Sequence, residues 1–257
     1  MRPVALLTDF GDDDHYVGVL HSVLVSEAPG VERIDLTHGV PPGDIWTGSY
    51  FLRCAWPHLP KAAVVLAVVD PGVGTTRRAV AAEVEGHWLV APDNGLAAAV
   101  APVSRVIVLD PDAIGLQTVS ATFHGRDLFA PAAARLARSA KPVTLGAKAD
   151  PESLVACPLP DPERDGATIR GVVIHVDRFG NLVSNIPAAW APEDTGMRAG
   201  WDDATRRVQT YGDAGPGEAV TLEGSSGLLE IAIPGESAAI VLDLGVGDEV
   251  EVHLPKN

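Results

Sequence analysis

The run AAVVLAVVD, from Ala62 to Asp70, constrains the fold more than any other stretch of the chain. It is apolar without interruption, rich in valine, and ends abruptly in an acid. A half-exposed strand would alternate apolar and polar residues, so an unbroken run means burial on both faces. That is the habit of a strand inside a parallel sheet with helices on either side. The run is also far short of the ~18 apolar residues that a membrane span needs.

The neighbouring segments repeat the pattern. VALLTD (Val4 to Asp9) reads as a second buried strand, and His15 to Ala28 carries apolar residues at helical spacing. VERIDLTH follows as a strand, then a helical stretch from Asp44 to Trp56 that stops before Pro57. AVAAEV, HWLVAP and RVIVLD add shorter strands. Alternation of β and α predicts an α/β domain, a three-layer Rossmann-like sheet with helices on both faces. Ligands of such sheets bind beyond the carboxyl ends of the strands.

Between about Ala140 and Gly166 the pattern gives way to Pro, Asp, Lys and Glu, as in PLPDPERDG, which reads as a linker or a long surface loop. Beyond it come only strands: TIRGVVIHVD, NLVSNI, RRVQTYG, EAVTLEG, GLLEIAI, AAIVLDL and DEVEVHL. Short strands punctuated by Gly, Pro and Asp predict a small antiparallel β-barrel. The expected division is an N-terminal α/β domain with linker over 1–150 and a C-terminal β-barrel domain over 166–257, within a chain of 257 residues.

A net charge of −15 argues against nucleic acid and against an anionic membrane surface, since both are bound through Lys and Arg. Cys54 and Cys157 form no C-x-x-C pair and read as small buried hydrophobes of a reducing compartment. The apolar run in MRPVALLTDFG is too short for a signal peptide. The expectation is a cytoplasmic protein whose partner is a small molecule or another copy of itself.

Three loops end predicted strands with polar residues. In LTDFGDDDHYVG, Asp13 or Asp14 suits helix N-capping, but Asp9 precedes the glycine turn and would face the strand-end crevice, where an acid can accept ribose hydroxyls. The same loop resembles the acid-rich metal loop of nucleoside hydrolases, yet Leu7 stands where that pattern has its first acid; no metal is expected there. In DPGVGTTRR, Arg77 can hold Asp70 bidentately or draw an anion towards it; a surface hairpin salt bridge is the plainer alternative. The GK[ST] ending of a phosphate loop is missing. In FHGRD, His124 has a side chain suited to moving or orienting a proton, while Asp127 suits an N-cap.

Taken in order, LTDFG, DLTH, VVDPGVGTTRR, APDNG, FHGRDLFAPAAA, DRFGNLVSNI and GSSGLLEIA make the chain resemble the S-adenosylmethionine (SAM) hydrolases, also called SAM hydroxide adenosyltransferases, whose fold is shared with the SAM-dependent fluorinases and chlorinases. The resemblance implies a homotrimer, with SAM between the N-domain of one subunit and the C-domain of the next. It implies a catalytic set of Asp70, Arg77 and His124 and a ribose-binding acid at Asp9. It further implies that Asp177 holds the methionine ammonium and that Phe179 and Asn181 lie around the adenine. Ser225 would contact the methionine end, Ser226 stands where halogenases carry an arginine, and Asn94 is a pocket residue. Each of the C-terminal residues also has a plain reading: Phe179 as core, Asn181 as a turn residue, Ser225 as a loop residue.

Hydrolase and halogenase both displace methionine from the ribose 5′ carbon, one with water and the other with halide. Halogenases of this fold lack the Asp–Arg–His set, and the fluorinase tryptophan near DLTH is replaced by Gly43, so water is the expected nucleophile. Asp70 and His124 would orient that water. A carboxylate beside an arginine is a weak base, so His124 is the favoured proton acceptor at this stage. The products would be adenosine and L-methionine, with no cofactor and no metal required. A SAM-dependent halogenase and a SAM- or adenosine-binding protein with incidental turnover remain as alternatives.

Overall fold

A computed structural model describes residues 1–100, 102–199 and 205–255. The chain divides into two compact units, Met1–Pro158 and Leu159–Asn257.

The first unit is built from β1 (Val4–Thr8), α1 (Tyr16–Glu27), β2 (Arg33–Thr37), α2 (Ile45–Ala55), β3 (Val64–Val68), β4 (Ala79–Val84), β5 (His87–Pro92), β6 (Arg105–Leu109), α3 (Pro111–Ile114), α4 (Ala130–Ala137) and β7 (Gly146–Ala149). Its sheet has the order β2-β1-β3-β5-β4-β6-β7. β2, β1, β3 and β5 run parallel, while β4, β6 and β7 join antiparallel. The apolar run behaves as its composition demands: Val64 to Val68 are all buried. Successive residues feed opposite faces, as the period of a strand requires. Val64, Leu66 and Val68 pack with Leu20, Leu24 and Leu136 of α1 and α4. Val65, Ala67 and Val69 pack with Leu52 of α2 and with Trp56. Three layers are therefore present.

The polar stretch read as linker or loop holds two strands. β7 forms an edge of the first sheet, and β8 (Glu163–Asp165) pairs with the next strand of the second unit. Both are largely exposed edge strands, so neither carries the apolar signal that marks the inner strands.

The second unit continues with β9 (Thr168–Val176), β10 (Leu182–Pro187), β11 (Met197–Arg198), β12 (Arg206–Arg207), β13 (Val220–Glu223), β14 (Leu228–Ala232), α5 (Ala238–Leu242) and β15 (Glu249–His253). Its order is β11-β15-β9-β10-β14-β13-β12, with β8 on β9. The two ends of that order meet, because Thr205 N–H donates to the Met197 carbonyl (2.9 Å) and Met197 N–H donates to Thr221 Oγ1 (2.9 Å). The sheet is thus nearly closed, as a barrel around Ile169, Ile186, Leu229 and Val250.

The strand expected at AAIVLDL is instead the short helix α5. Ser237 Oγ accepts the Ile240 N–H (3.3 Å) as its N-cap, and Asp243 ends it in the left-handed conformation (φ 54°). No described helix is long and apolar enough to cross a membrane.

Candidate active site

Asp9 and Asp70 follow the paired parallel strands β1 and β3, in which Thr8 lies opposite Val68. In the order β2-β1-β3 the chain leaves β1 to one side and returns on the other. The carboxyl ends of β1 and β3 therefore flank the topological switch point, where open α/β sheets bind ligands.

Asp9 Oδ2 accepts the Gly43 N–H at 2.7 Å. Gly43 has φ +72°, a left-handed conformation that a tryptophan would occupy only under strain, so glycine here serves the Asp9 contact directly. Burial pushes the Asp9 carboxyl up, the Gly43 N–H opposes this, and the nearby Asp70 charge adds to the rise.

After Asp70, successive turns close through Val73 N–H to the Asp70 carbonyl (3.2 Å) and Thr75 N–H to the Gly72 carbonyl (3.2 Å). They bring Arg77 back over the strand end. Arg77 Nε donates to Asp70 Oδ1 at 3.0 Å, and Nη2 donates to Oδ2. The two side chains are only 11% and 6% exposed, which removes the reading of a solvated hairpin salt bridge. The same Nη2 donates to His124 Nδ1 at 2.7 Å, and the guanidinium lies 5.2 Å from the Phe129 ring centre. Guanidinium is a donor only, so Nδ1 must accept. The neutral ring then carries its proton on Nε2. Burial lowers the His124 pKa, Arg77's charge lowers it further, and Asp70 partly opposes both.

His124 precedes a π-helical turn, Gly125–Phe129, that leads into α4. Asp127 is not the N-cap: its carboxylate takes the Ser120 N–H (2.9 Å) and Arg126 Nε (2.6 Å), which ties the loop before the turn to the turn itself. The caps expected at Asp13 or Asp14 are absent too, since His15 holds the N-cap position of α1 and makes no side-chain cap bond. Asn94 spends its amide on the backbone, with Nδ2 donating to the Val69 carbonyl (2.9 Å) and Oδ1 accepting the Leu96 N–H (3.3 Å).

Asp9, Asp70, Thr122 and His124 line one cavity of ≈ 160 Å³. An aromatic wall of Phe10, Tyr16 and Phe123 completes it. Phe10–Phe123 and Tyr16–Phe123 meet edge-on at 5.8 and 5.2 Å between ring centres. Sequence reasoning did not single out these rings, although Phe10 and Phe123 sit directly beside Asp9 and His124 in LTDFG and FHGRD. A larger cavity of ≈ 330 Å³ beside Arg53 and Trp56 lacks such a convergent set. Arg53 Nε there is committed to the Ala99 carbonyl at 2.8 Å.

In the second unit, Asp177 closes its own turn. Oδ1 accepts the N–H groups of Phe179 (2.8 Å) and Asn181 (2.9 Å), and Oδ2 accepts Asn181 Nδ2 (2.9 Å). Phe179 is 77% exposed and so is not core, whereas Asn181 is buried. Between them Gly180 (φ +84°) passes so close to Ser237 that a Cβ would stand 2.1 Å from its Oγ. Ser225 and Ser226 lie in the β13–β14 turn, which the Gly227 N–H to Gly224 carbonyl bond closes (2.9 Å). A pair that sequence reasoning missed is Glu230, buried on β14, which accepts the Tyr211 hydroxyl. Burial raises both pKa values; for Tyr211 the contact with Glu230 adds to the rise.

Residues 4–146 match the family model described as the SAM hydroxide adenosyltransferase N-terminal domain, and residues 171–251 match that of the C-terminal domain. The chain belongs to the SAM hydroxide adenosyltransferase family. Two similar relatives are named (R)-S-adenosyl-L-methionine hydrolase. The one from Salinispora tropica is 43% identical and covers 97% of each chain. The one from Thermus thermophilus is also 43% identical, covering 98% of this chain and 100% of its own. A solved structure of an uncharacterized conserved protein from Thermotoga maritima superposes with a TM-score of 0.90 at 33% identity, covering 97% of this chain and 99% of that one. A protein named fluorinase, from an Actinoplanes species, is more distant, at 25% identity over 97% of this chain and 96% of its own.

Proposed function

We propose that the chain is a SAM hydrolase of the adenosine-forming kind, in which water displaces L-methionine from the ribose 5′ carbon of SAM. The observation that carries this reading is the Arg77 Nη2 group, shared between Asp70 and His124 over a cavity at the sheet's switch point. Hydrolase relatives at 43% identity support it against the fluorinase, which stands at 25%. The glycine at position 43, with its backbone N–H spent on Asp9, supports it as well.

In this mechanism Asp9 binds the ribose hydroxyls, and the cavity holds one water in line with the C5′–S bond; such positioning removes much of the barrier. His124 donates Nε2–H to the water oxygen and sets its lone pair towards carbon. This differs from the base role favoured on sequence, because the ring's acceptor nitrogen is already taken by Arg77. The C–O bond forms as the C–S bond breaks, and the pair of electrons goes to sulfur, which becomes the neutral thioether of methionine. The attacking water has by then become a strongly acidic oxonium. A weak base suffices for its proton, and Asp70 accepts it.

Asp177 and Ser225 would hold the methionine end, with Phe179 and Asn181 at the adenine and Ser226 also among the substrate-binding residues, in a homotrimer that brings the C-domain of one copy to the N-domain of another. The chemistry would require no cofactor or metal, and the protein would work in the cytoplasm. The reading is tested by incubating purified protein with SAM and a chelator, with and without chloride or fluoride, and resolving the products by chromatography. Adenosine and methionine in equal amounts, indifferent to halide, are expected. A 5′-halo-adenosine would make the protein a halogenase, and bound SAM without turnover would make it a binder.

A further inference from the structure

A second group of chemistry-bearing side chains meets outside the catalytic cavity, at the edge of the first sheet. His21 comes from α1, Asp35 from the edge strand β2, and His38 from the residue after that strand. Asp35 Oδ1 stands 3.0 Å from His21 Nε2 and 3.1 Å from His38 Nε2. One donor atom from each of the three residues falls within 4.8 Å of the others.

Two histidines on one carboxylate would be an ordinary ion pair if the bonds were well aimed. His38 shows that they are not. Its side chain is 6% exposed, and Nε2 is sealed from solvent yet makes no hydrogen bond, although Asp35 lies close. The other ring nitrogen, Nδ1, stands 2.8 Å from Thr8 Oγ1. With its proton on Nδ1 and donated to Thr8, the ring turns a free Nε2 lone pair towards Asp35 and His21. That is the arrangement of a metal-binding histidine, whose far N–H is held by a second partner. An orphaned buried nitrogen is costly, and a cation placed among the three residues would satisfy it.

We propose that His21, Asp35 and His38 bind one divalent transition-metal cation, with Zn²⁺ the best fit. Ligand atoms at about 2.1 Å from a tetrahedral ion stand about 3.4 Å apart, within the range found here. Two imidazoles and one carboxylate suit zinc, whereas magnesium and calcium take oxygen ligands. His21 is 24% exposed and Asp35 47% exposed, so the fourth position opens to water. The site is structural: it clamps α1 to the sheet edge. Through the Thr8 contact and the Gly11 N–H bond to the His38 carbonyl (2.8 Å), it also steadies the segment that carries Asp9. The acid-rich loop weighed for a metal in the sequence is elsewhere, at Asp12 to Asp14.

The test uses untagged full-length protein, stripped with chelator and titrated with Zn²⁺ against a chromogenic competitor. About one tightly held Zn²⁺ per chain is expected. At a hundredfold excess over Kd, Tm should rise by roughly 5–10 °C. His21→Gln alters a partly exposed helix position and should leave the metal-free Tm in place. Both it and Asp35→Asn should weaken binding by at least ~10–100-fold, and His124→Ala should bind as the unaltered protein does. Co²⁺ in place of zinc should give the strong visible absorption of a tetrahedral site, lost with His21→Gln. The proposal is overturned if the stripped protein takes up no Zn²⁺, or if binding survives both His21→Gln and Asp35→Asn. Loss with His124→Ala alone would overturn it equally, by placing the ion in the catalytic cavity.

Discussion

Asp70 and Asp177 are both carboxylates at the end of a strand, and the two units use them in opposite ways. Asp70 is held by side chains, by Arg77 from seven residues further along the same loop and, through it, by His124 from a distant one. Asp177 is held by its own turn, through two backbone N–H groups and the amide of Asn181. A carboxylate that caps its own turn explains itself by local stability. A buried carboxylate fixed by an arginine that also holds a histidine has no such local reason, and it keeps charge beside a cavity. The contrast separates residues whose geometry speaks for chemistry from residues whose role, if any, is added to a structural one.

The largest effect should come from breaking the shared guanidinium. Arg77→Met leaves Asp70 buried without its cation and frees His124 to turn. Turnover of SAM should fall by ~10²–10³-fold, measured as adenosine released under single-turnover conditions. Arg77→Lys should not restore it, because one ammonium cannot make the bidentate contact and reach His124 as well. Rates within a factor of a few of the parent would remove the triad from the mechanism.

Next in size is Asp177→Ala. It removes three acceptor contacts from the turn and should cost about 2 kcal/mol in a urea titration. Should Asp177 also hold the methionine ammonium, KM for SAM would rise at temperatures where the variant stays folded, with kcat much less affected. A stability loss with unchanged KM would leave it as a turn residue alone.

The acid limb of the pH profile sharpens the comparison from the other side. Protonating His124 puts a hydrogen on Nδ1, against the Arg77 donor, so the network needs the neutral ring. Burial and Arg77 both lower this pKa, so the neutral form persists below the ordinary histidine value of 6.5. The folded state favours the neutral ring, so the network's contribution is present at neutral pH and is lost as pH falls through the lowered pKa. kcat/KM should therefore stay level down to below pH 6.5, then fall about tenfold per pH unit. A fall that begins above pH 6.5 would contradict the network.

How much of this was legible beforehand follows the range of the interactions. The sheet could be read because β1 and β3 advertise burial through composition alone. Asp9 and Asp70 could be picked out because each ends an apolar run, and His124 because it stands at the start of the helical stretch DLFAPAAARLA. The bond between Arg77 and His124 joins positions 47 residues apart, and no local pattern announces it. Tyr16 carries no local signal of a site, because an aromatic at the start of a helix usually means packing. β7 and β8 were hidden in polar sequence because exposed edge strands need no apolar face. AAIVLDL misled in the other direction: its β-branched residues favour a strand, but the Ser237 cap and the left-handed Asp243 make it a single helical turn.

That turn supplies the smallest and cleanest measurement. Ser237→Ala removes the N-cap of α5, in which Ile240 is 81% exposed, and should lower stability by about 1 kcal/mol. It leaves Gly180 as necessary as before, since an added Cβ there would still meet Ser237 Cβ at 2.5 Å and Cα at 2.7 Å. The variant thus weakens a capping contact beside the Asp177 turn without touching the Asp177 carboxylate. Its loss of stability calibrates what capping alone is worth in this unit. With kcat and KM unchanged for Ser237→Ala, any rise of KM in Asp177→Ala can be assigned to the carboxylate itself. Should Ser237→Ala raise KM by the same factor, the effect would belong to the disturbed turn, and the assignment of Asp177 to the methionine ammonium would fall.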